Sequence, residues 1–89
     1  MDYRIWKYDL VVTCTQGLMI PQAAEILSVE NQNGTICLWC LCDTHKEKEQ
    51  RIIEIIGTGN PVVQDMGVSR KFIGTVLDGQ FVWHVFERL

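Results

Sequence analysis

The chain has 89 residues, a net charge of −3, and 47% hydrophobic and 21% charged residues, a composition that excludes a disordered protein. Its eight Lys and Arg residues are scattered, whereas proteins that bind duplex nucleic acid concentrate theirs on one face. No apolar run approaches the roughly 18 residues that span a bilayer, and the N-terminus lacks a signal-peptide pattern. We therefore expect one domain, residues 1–89, in the cytoplasm, with no role on duplex nucleic acid or in a membrane.

The N-terminal part predicts two strands. Aromatic and aliphatic side chains alternate along residues 3–12, which is typical of a strand with one buried face. Residues 13–17 predict a turn. Residues 18–20 then predict a short second strand, which Pro21 stops.

Residues 21–32 are compatible with either a helix or a strand. Pro21 followed by Gln and Ala residues could open a short helix. Asn33-Gly34, however, is a strong hairpin turn and needs a strand on each side. We favour a strand from about Glu25 and a buried central strand over residues 35–42. The register of this hairpin sets two pairs opposite each other, Val29 with Leu38 and Leu27 with Cys40.

The middle of the chain contains its only run of charged residues, residues 43–50. Thr44 and Glu47 have the spacing of a capping box, so a helix over residues 45–56 is one alternative. Four isoleucines within residues 52–56 favour a strand over residues 51–56 instead. Residues 57–61 and 64–70 predict two loops.

The strongest local signal is the C-terminal stretch, residues 71–88. Asp78-Gly79 lies between two runs rich in β-branched and aromatic residues, which predicts a hairpin with a type I′ turn. The second strand is apolar on both faces, so we expect it to be covered on both sides in the middle of the core. The expected register pairs Leu77 with Gln80, Thr75 with Val82, Gly74 with Trp83 and Ile73 with His84.

Together these segments predict a mainly β protein, a small barrel or sandwich of six to seven short antiparallel strands built on hairpins. The alternative is an α+β fold with one short helix in residues 21–32 or 44–56. A monomer of this size buries only about 60% of the surface of its unfolded chain. We therefore expect a homo-oligomer.

Three of the four cysteines and a histidine have a spacing that could suggest zinc: Cys37, Cys40, Cys42 and His45. A strand sends Cys37 to the face opposite to Cys40 and Cys42, so the ligands cannot converge on one metal ion. We expect these cysteines and Cys14 to be reduced, with no metal and no cofactor.

A candidate ligand site lies around the small residues of the loop after residue 56. Its glycines, hydroxyl and backbone N–H groups suit a phosphate, although a structural turn is the plainer interpretation. An arginine can bind an anion and a tryptophan can stack on a base, while an ordinary ion pair and a core position are the alternatives. The expected ligand-binding residues, none of them catalytic, are Gly57, Thr58, Gly59, Asn60, Arg51, Trp83 and His84.

Several segments in order carry a resemblance: IWKY at 5–8, MIPQAAEILSV at 19–29, LW at 38–39, GTG at 57–59, IGT at 73–75 and FVWHVFE at 81–87. The string resembles a family of short proteins encoded by phages and prophages, over nearly the whole chain. The sequence departs from that family in CLWCLC and in MIPQAA, where a Met-Pro-x-Gly-Ala run is usual. The resemblance implies a small β-rich accessory protein and supplies no catalytic residue.

We consider three functional hypotheses from different classes. The first is a phage counter-defence sponge that sequesters a small nucleotide-derived immune signal in the host bacterial cytoplasm without catalysis. The second is an inhibitor that binds a host defence protein directly, through its surface or a sheet edge. The third, an enzyme that degrades the signal, is the least favoured because the sequence contains no catalytic motif.

Overall fold

Seven antiparallel strands form the fold in a computed structural model that describes residues 1–62 and 69–89. The strands are β1 (Tyr3–Leu10), β2 (Thr15–Pro21), β3 (Glu25–Gln32), β4 (Thr35–Asp43), β5 (Lys48–Gly57), β6 (Arg70–Asp78) and β7 (Phe81–Arg88). The described part of the chain contains no helix, so neither helical alternative forms. It accordingly contains none long and apolar enough to cross a membrane. The predicted mainly β fold is confirmed.

The strands form two sheets, one with the order β1-β4-β3 and one with the order β2-β5-β7-β6. Apolar side chains from both sheets pack between them, among them the fully buried Ile20, Leu38, Ile53 and Val85. The resulting small sandwich measures 42 × 36 × 16 Å. Alternation places every second residue of each strand in this core and the others on an outward face.

The β3–β4 hairpin forms around Asn33 and Gly34, whose φ angles of +53° and +88° are both positive, as a type I′ turn requires. The predicted central strand is confirmed, since β4 lies between β1 and β3. Val29 lies opposite Leu38 as expected. The pairing expected for Leu27 is wrong, because a bulge between positions 26 and 28 shifts the register. The extra residue, Leu27, is 45% exposed.

The β6–β7 hairpin forms one residue later than predicted. Gly79 and Gln80 make the turn, and only Gly79 has a positive φ, +59°, as in a type II′ turn. That turn avoids the positive φ that a type I′ turn would force on Asp78. The partners therefore move by two residues along β7, so that Thr75 lies opposite His84. The side chains of β7 keep their expected faces, but the bulge between Phe72 and Gly74 reverses those of β6 before it. The expected pairing of Ile73 with His84 is therefore wrong, since Ile73 packs against the core and Phe72 lies on the outward face opposite Phe86.

Strand β7 is internal to its sheet, but its two faces are covered unequally. Val85 and Glu87 face the core and are buried, whereas Val82, His84 and Phe86 on the outward face are only half-buried. The expectation that both faces of β7 are buried is thus met on the core face and only in part on the outward face. The predicted loop at residues 64–70 lies mostly outside the described residues, and Arg70 begins β6.

The turn between β2 and β3 carries a strained residue. Ala24 N donates to Pro21 O at 3.2 Å, and Ala23 has a φ of +62°. A type II turn needs a positive φ at this position and normally has Gly there.

We expect Ala23→Gly to stabilise the fold by about 0.5–1 kcal/mol. Glycine removes the steric cost of the left-handed conformation, and this gain exceeds the extra backbone entropy that glycine loses on folding. The melting temperature should rise by a few degrees in a thermal unfolding experiment. Gly34→Ala is the matched control: it adds a Cβ at a φ of +88° with nothing within 4 Å, and should lower the melting temperature. An unchanged or lower value for Ala23→Gly would show that this turn is not strained.

Candidate functional site

The loop after β5 is tied down by its own backbone. Asn60 N donates to Gly57 O at 3.0 Å, and Thr58 N donates to Val82 O at 3.2 Å. The sequence predicted free N–H groups here, and for these two residues that prediction is wrong. Gly59 has a φ of +83°, and a Cβ added to it would meet no atom within 4 Å. The turn therefore requires glycine for its conformation and not for space.

The side chain of Thr58 meets His84, one of the predicted site residues. Thr58 Oγ1 lies 2.7 Å from His84 Nε2, and Thr75 Oγ1 lies 3.1 Å from His84 Nδ1. Both ring nitrogens are therefore held by hydroxyls on the outward face of the four-stranded sheet. Sequence reasoning missed Thr75 because its position opposite His84 depends on the actual register of β6 and β7.

Trp83 lies on the other side of β7, against the core. A Cβ on Gly57 would be 3.0 Å from Trp83 Cζ3 and 2.7 Å from Asn60 Nδ2, so the loop sits directly on this ring. The indole also stacks on Phe81, with ring centroids 5.7 Å apart. The Trp83 ring is therefore better placed to support the loop than to stack on a ligand, which is the role that the sequence predicted.

Arg51 is far from the loop with which the sequence analysis grouped it. Six positions of extended strand separate it from Gly57, about 20 Å. Its Nε and Nη2 donate to Glu87 at 2.5 and 2.8 Å, and its Nη1 donates to Ala24 O at 2.6 Å. The hydrogen bond to Glu87 raises the pKa of Arg51. This bidentate pair, with side chains 17% and 7% exposed, joins β5 to β7 at the core.

A cavity of about 210 Å³ lies beside the loop. Glu54, which is buried, forms its charged part: Arg70 Nε donates to Glu54 Oε1 at 2.5 Å, and Arg88 Nε lies 3.8 Å from Glu54 Oε2. The described lining residues thus contain one more positive than negative group. They are Cys14, Thr15, Glu54, Ile55, Ile56, Asn60, Pro61, Arg70 and Arg88.

Sequence reasoning did not find this charged cluster. Arg88 lies opposite Ile52 on β5 and opposite Arg70 on β6, so only the order β5-β7-β6 brings the two arginines to Glu54. A charged residue amid the isoleucines of β5 was the one available signal.

Residues 1–89, the whole chain, match the family model described as "Domain of unknown function (DUF7352)". The chain belongs to this family. No curated protein and no solved structure matches it. The family description assigns no activity to DUF7352.

In this DUF7352 chain all four cysteines are free thiols, Cys14 exposed and the other three buried. Cys37 faces outward, with Sγ 3.4 Å from Asp9 Oδ1, whereas Cys40 and Cys42 belong to the core. This is the predicted division between two faces. Burial raises the pKa of the Cys40 thiol to about 11. Within residues 1–62 and 69–89 no group of three or more potential ligands could hold a metal ion.

A second cavity, of about 380 Å³, lies where the edge strands β3 and β6 both bulge. Arg51 and Glu87 form part of its wall, with side chains only 17% and 7% exposed. Its described lining carries two positive groups, Arg51 and Lys71, and two negative groups, Glu25 and Glu87, so it suits an anion less well than the first cavity.

Proposed function

We propose that this protein is a phage-encoded sponge, a binding protein that captures a small phosphorylated, nucleotide-like immune signal in the host bacterial cytoplasm without catalysis. The observation that carries the proposal is the cavity beside the Thr58–Asn60 loop. Its guanidinium groups, from Arg70 and Arg88, suit phosphate oxygens. Its apolar wall, from Ile55 and Ile56, suits a flat base.

The arrangement of His84 supports capture over catalysis. A histidine that activates a hydroxyl nucleophile is hydrogen-bonded to it through one nitrogen, and in the catalytic triad a carboxylate holds the other nitrogen and stabilises the imidazolium. Both nitrogens of His84 are occupied by threonine hydroxyls, and no carboxylate takes part in this described cluster. The residues fix the loop beside the cavity, which is a positioning role.

The size of the cavity supports a small ligand. Its volume of about 210 Å³ is below the range of about 300–1,000 Å³ typical of pockets for drug-sized ligands. One phosphorylated nucleoside is the largest unit that we expect it to enclose. A cyclic dinucleotide would place one half in the cavity and the other along the outward face of the sheet.

A second candidate function is direct inhibition of a host defence protein. The tip of the β6–β7 hairpin favours it, because Leu77 and Phe81 are 67% and 54% exposed there. Neighbouring exposed apolar side chains are typical of a protein-binding surface. This function does not need the cavity.

One experiment separates these functions. The protein is incubated with a panel of nucleoside monophosphates, cyclic mononucleotides and cyclic dinucleotides, freed of unbound ligand by gel filtration, and denatured by heat. We expect at least one nucleotide to be recovered intact. Recovery of a cleaved product would overturn the proposal in favour of an enzyme, and retention of none in favour of the host-protein inhibitor.

A further inference from the structure

Strand β1 is an edge strand with one side paired to β4 and no described strand on the other. Thr44 N donates to Asp2 O at 2.9 Å, which continues the β1–β4 ladder and shows that the backbone of residue 2 faces β4. Backbone groups of successive residues point to alternate sides of a strand. The odd-numbered residues of β1 therefore direct their N–H and C=O groups to the open edge.

This open edge ends at Val11. Gln16 Oε1 accepts from Val11 N at 3.1 Å, and Gln16 Nε2 donates to Val11 O at 2.7 Å. The side-chain amide thus occupies the position that a neighbouring strand would take. Four residues before it keep outward-facing backbone groups: Tyr3, Ile5, Lys7 and Asp9.

These four residues carry only part of the usual protection of an edge strand: Lys7 and Asp9 are charged, but no proline or bulge interrupts them. Natural edges carry a proline, a bulge or an outward lysine. Tyr3 and Ile5 are instead 58% and 61% exposed. The charges of Lys7 and Asp9 are held away from the edge or paired, because Lys7 Nζ donates to Gln32 Oε1 on β3 at 2.8 Å and lies 3.9 Å from Asp9 Oδ1.

We propose that β1 pairs antiparallel with β1 of a second copy of this chain, about a two-fold axis at Trp6, to give a continuous six-stranded sheet. In this register Tyr3 lies opposite Asp9 and Ile5 opposite Lys7 of the other copy. Every open backbone group of both copies is then paired. Like charges that lie directly opposite each other on neighbouring strands destabilise a sheet, and this register places no two like charges opposite each other.

Other symmetric registers are poorer. An axis at Lys7 sets two lysines opposite each other and requires Val11, whose backbone Gln16 already occupies. An axis at Ile5 leaves Asp9 without a partner. The edge is thus complementary to itself, as the isologous interface of a two-fold dimer requires. The inference is independent of the ligand cavity, which lies on the other sheet.

The proposal is tested with Ile5→Pro. The N–H of Ile5 points away from β4, so proline removes a donor from the dimer ladder and none from the fold. We expect sedimentation equilibrium to give a dimer for the unmodified protein at micromolar concentration. For Ile5→Pro we expect a dissociation constant at least about tenfold higher. Ile5→Thr, which keeps the N–H and the strand preference, is the matched control and should stay dimeric.

A second measurement decides the matter if Ile5→Pro fails to fold. Arg4 and Tyr8 of the two copies form a directly opposed pair without mutual backbone hydrogen bonds, a spacing of about 4.5 Å between Cα atoms that a disulfide can bridge. Because Cys42 lies directly opposite Arg4 on β4 and could bond with a cysteine there, the background is Cys14→Ser with Cys42→Ala. In it, Arg4→Cys with Tyr8→Cys should give a covalent dimer on mild oxidation. A monomeric unmodified protein, a dimer that persists in a folded Ile5→Pro variant, or a double-cysteine variant that stays monomeric under oxidation overturns the proposal.

Discussion

Replacing Arg51 by Met should lower the free energy of unfolding by about 3–5 kcal/mol, because it leaves the carboxylate of Glu87 buried without its counter-charge. Glu87 is 7% exposed, and both of its oxygens accept from Arg51. The carbonyl of Ala24 loses its donor as well. For a domain of this size the loss corresponds to a fall of more than about 12 °C in melting temperature, measurable by urea and thermal denaturation.

Two variants serve as controls for this effect. Arg51→Met combined with Glu87→Leu removes both charges and should recover much of the loss, since an apolar pair of similar volume tolerates burial. Arg4→Met removes an arginine that is 65% exposed in its pair with Asp2, and should change stability by less than about 0.5 kcal/mol. If Arg51→Met were as stable as Arg4→Met, the pair with Glu87 would contribute little to the stability of the fold. Arg51 would then again be a candidate ligand-binding residue.

The parts of the fold that sequence reasoning predicted are those with local causes. Asn33-Gly34 forms its hairpin because both residues tolerate a positive φ, and the apolar β4 lies centrally because neither of its faces suits water. The isoleucines of residues 52–56 form a strand because β-branched side chains favour the extended backbone. Each of these signals lies within ten residues of the structure that it specifies.

The register errors have a different origin. Bulges at Leu27 and Ile73 insert a residue without leaving a turn signal, and the C-terminal hairpin had two acceptable two-residue turns, Asp78-Gly79 and Gly79-Gln80. Alternation fixes the face of each side chain but not its partner. The sequence therefore assigned His84 to the correct face and gave it the wrong neighbour.

The candidate site was predictable only in part for the same reason. Thr58 and His84 meet because Ile56 lies opposite His84, a pairing between distant strands. Arg51 was grouped with the loop by closeness in sequence, yet an extended strand carries it about 20 Å away. Pairing of strands rather than sequence spacing assembled the cluster around Glu54.

Thr15→Trp should abolish capture of the nucleotide that the protein retains, with a loss of affinity of at least about 100-fold, or 2.7 kcal/mol. Thr15 lies opposite Glu54, so its side chain shares the outward face and lines the cavity of about 210 Å³, which an indole would largely fill. Thr15 is exposed, so the change should alter stability by less than about 0.5 kcal/mol. Titration calorimetry measures the affinity. The control is Met19→Trp, which lies four residues along the same face of β2, outside the cavity, and should bind the nucleotide normally. Capture that survives Thr15→Trp would place the ligand elsewhere on the protein.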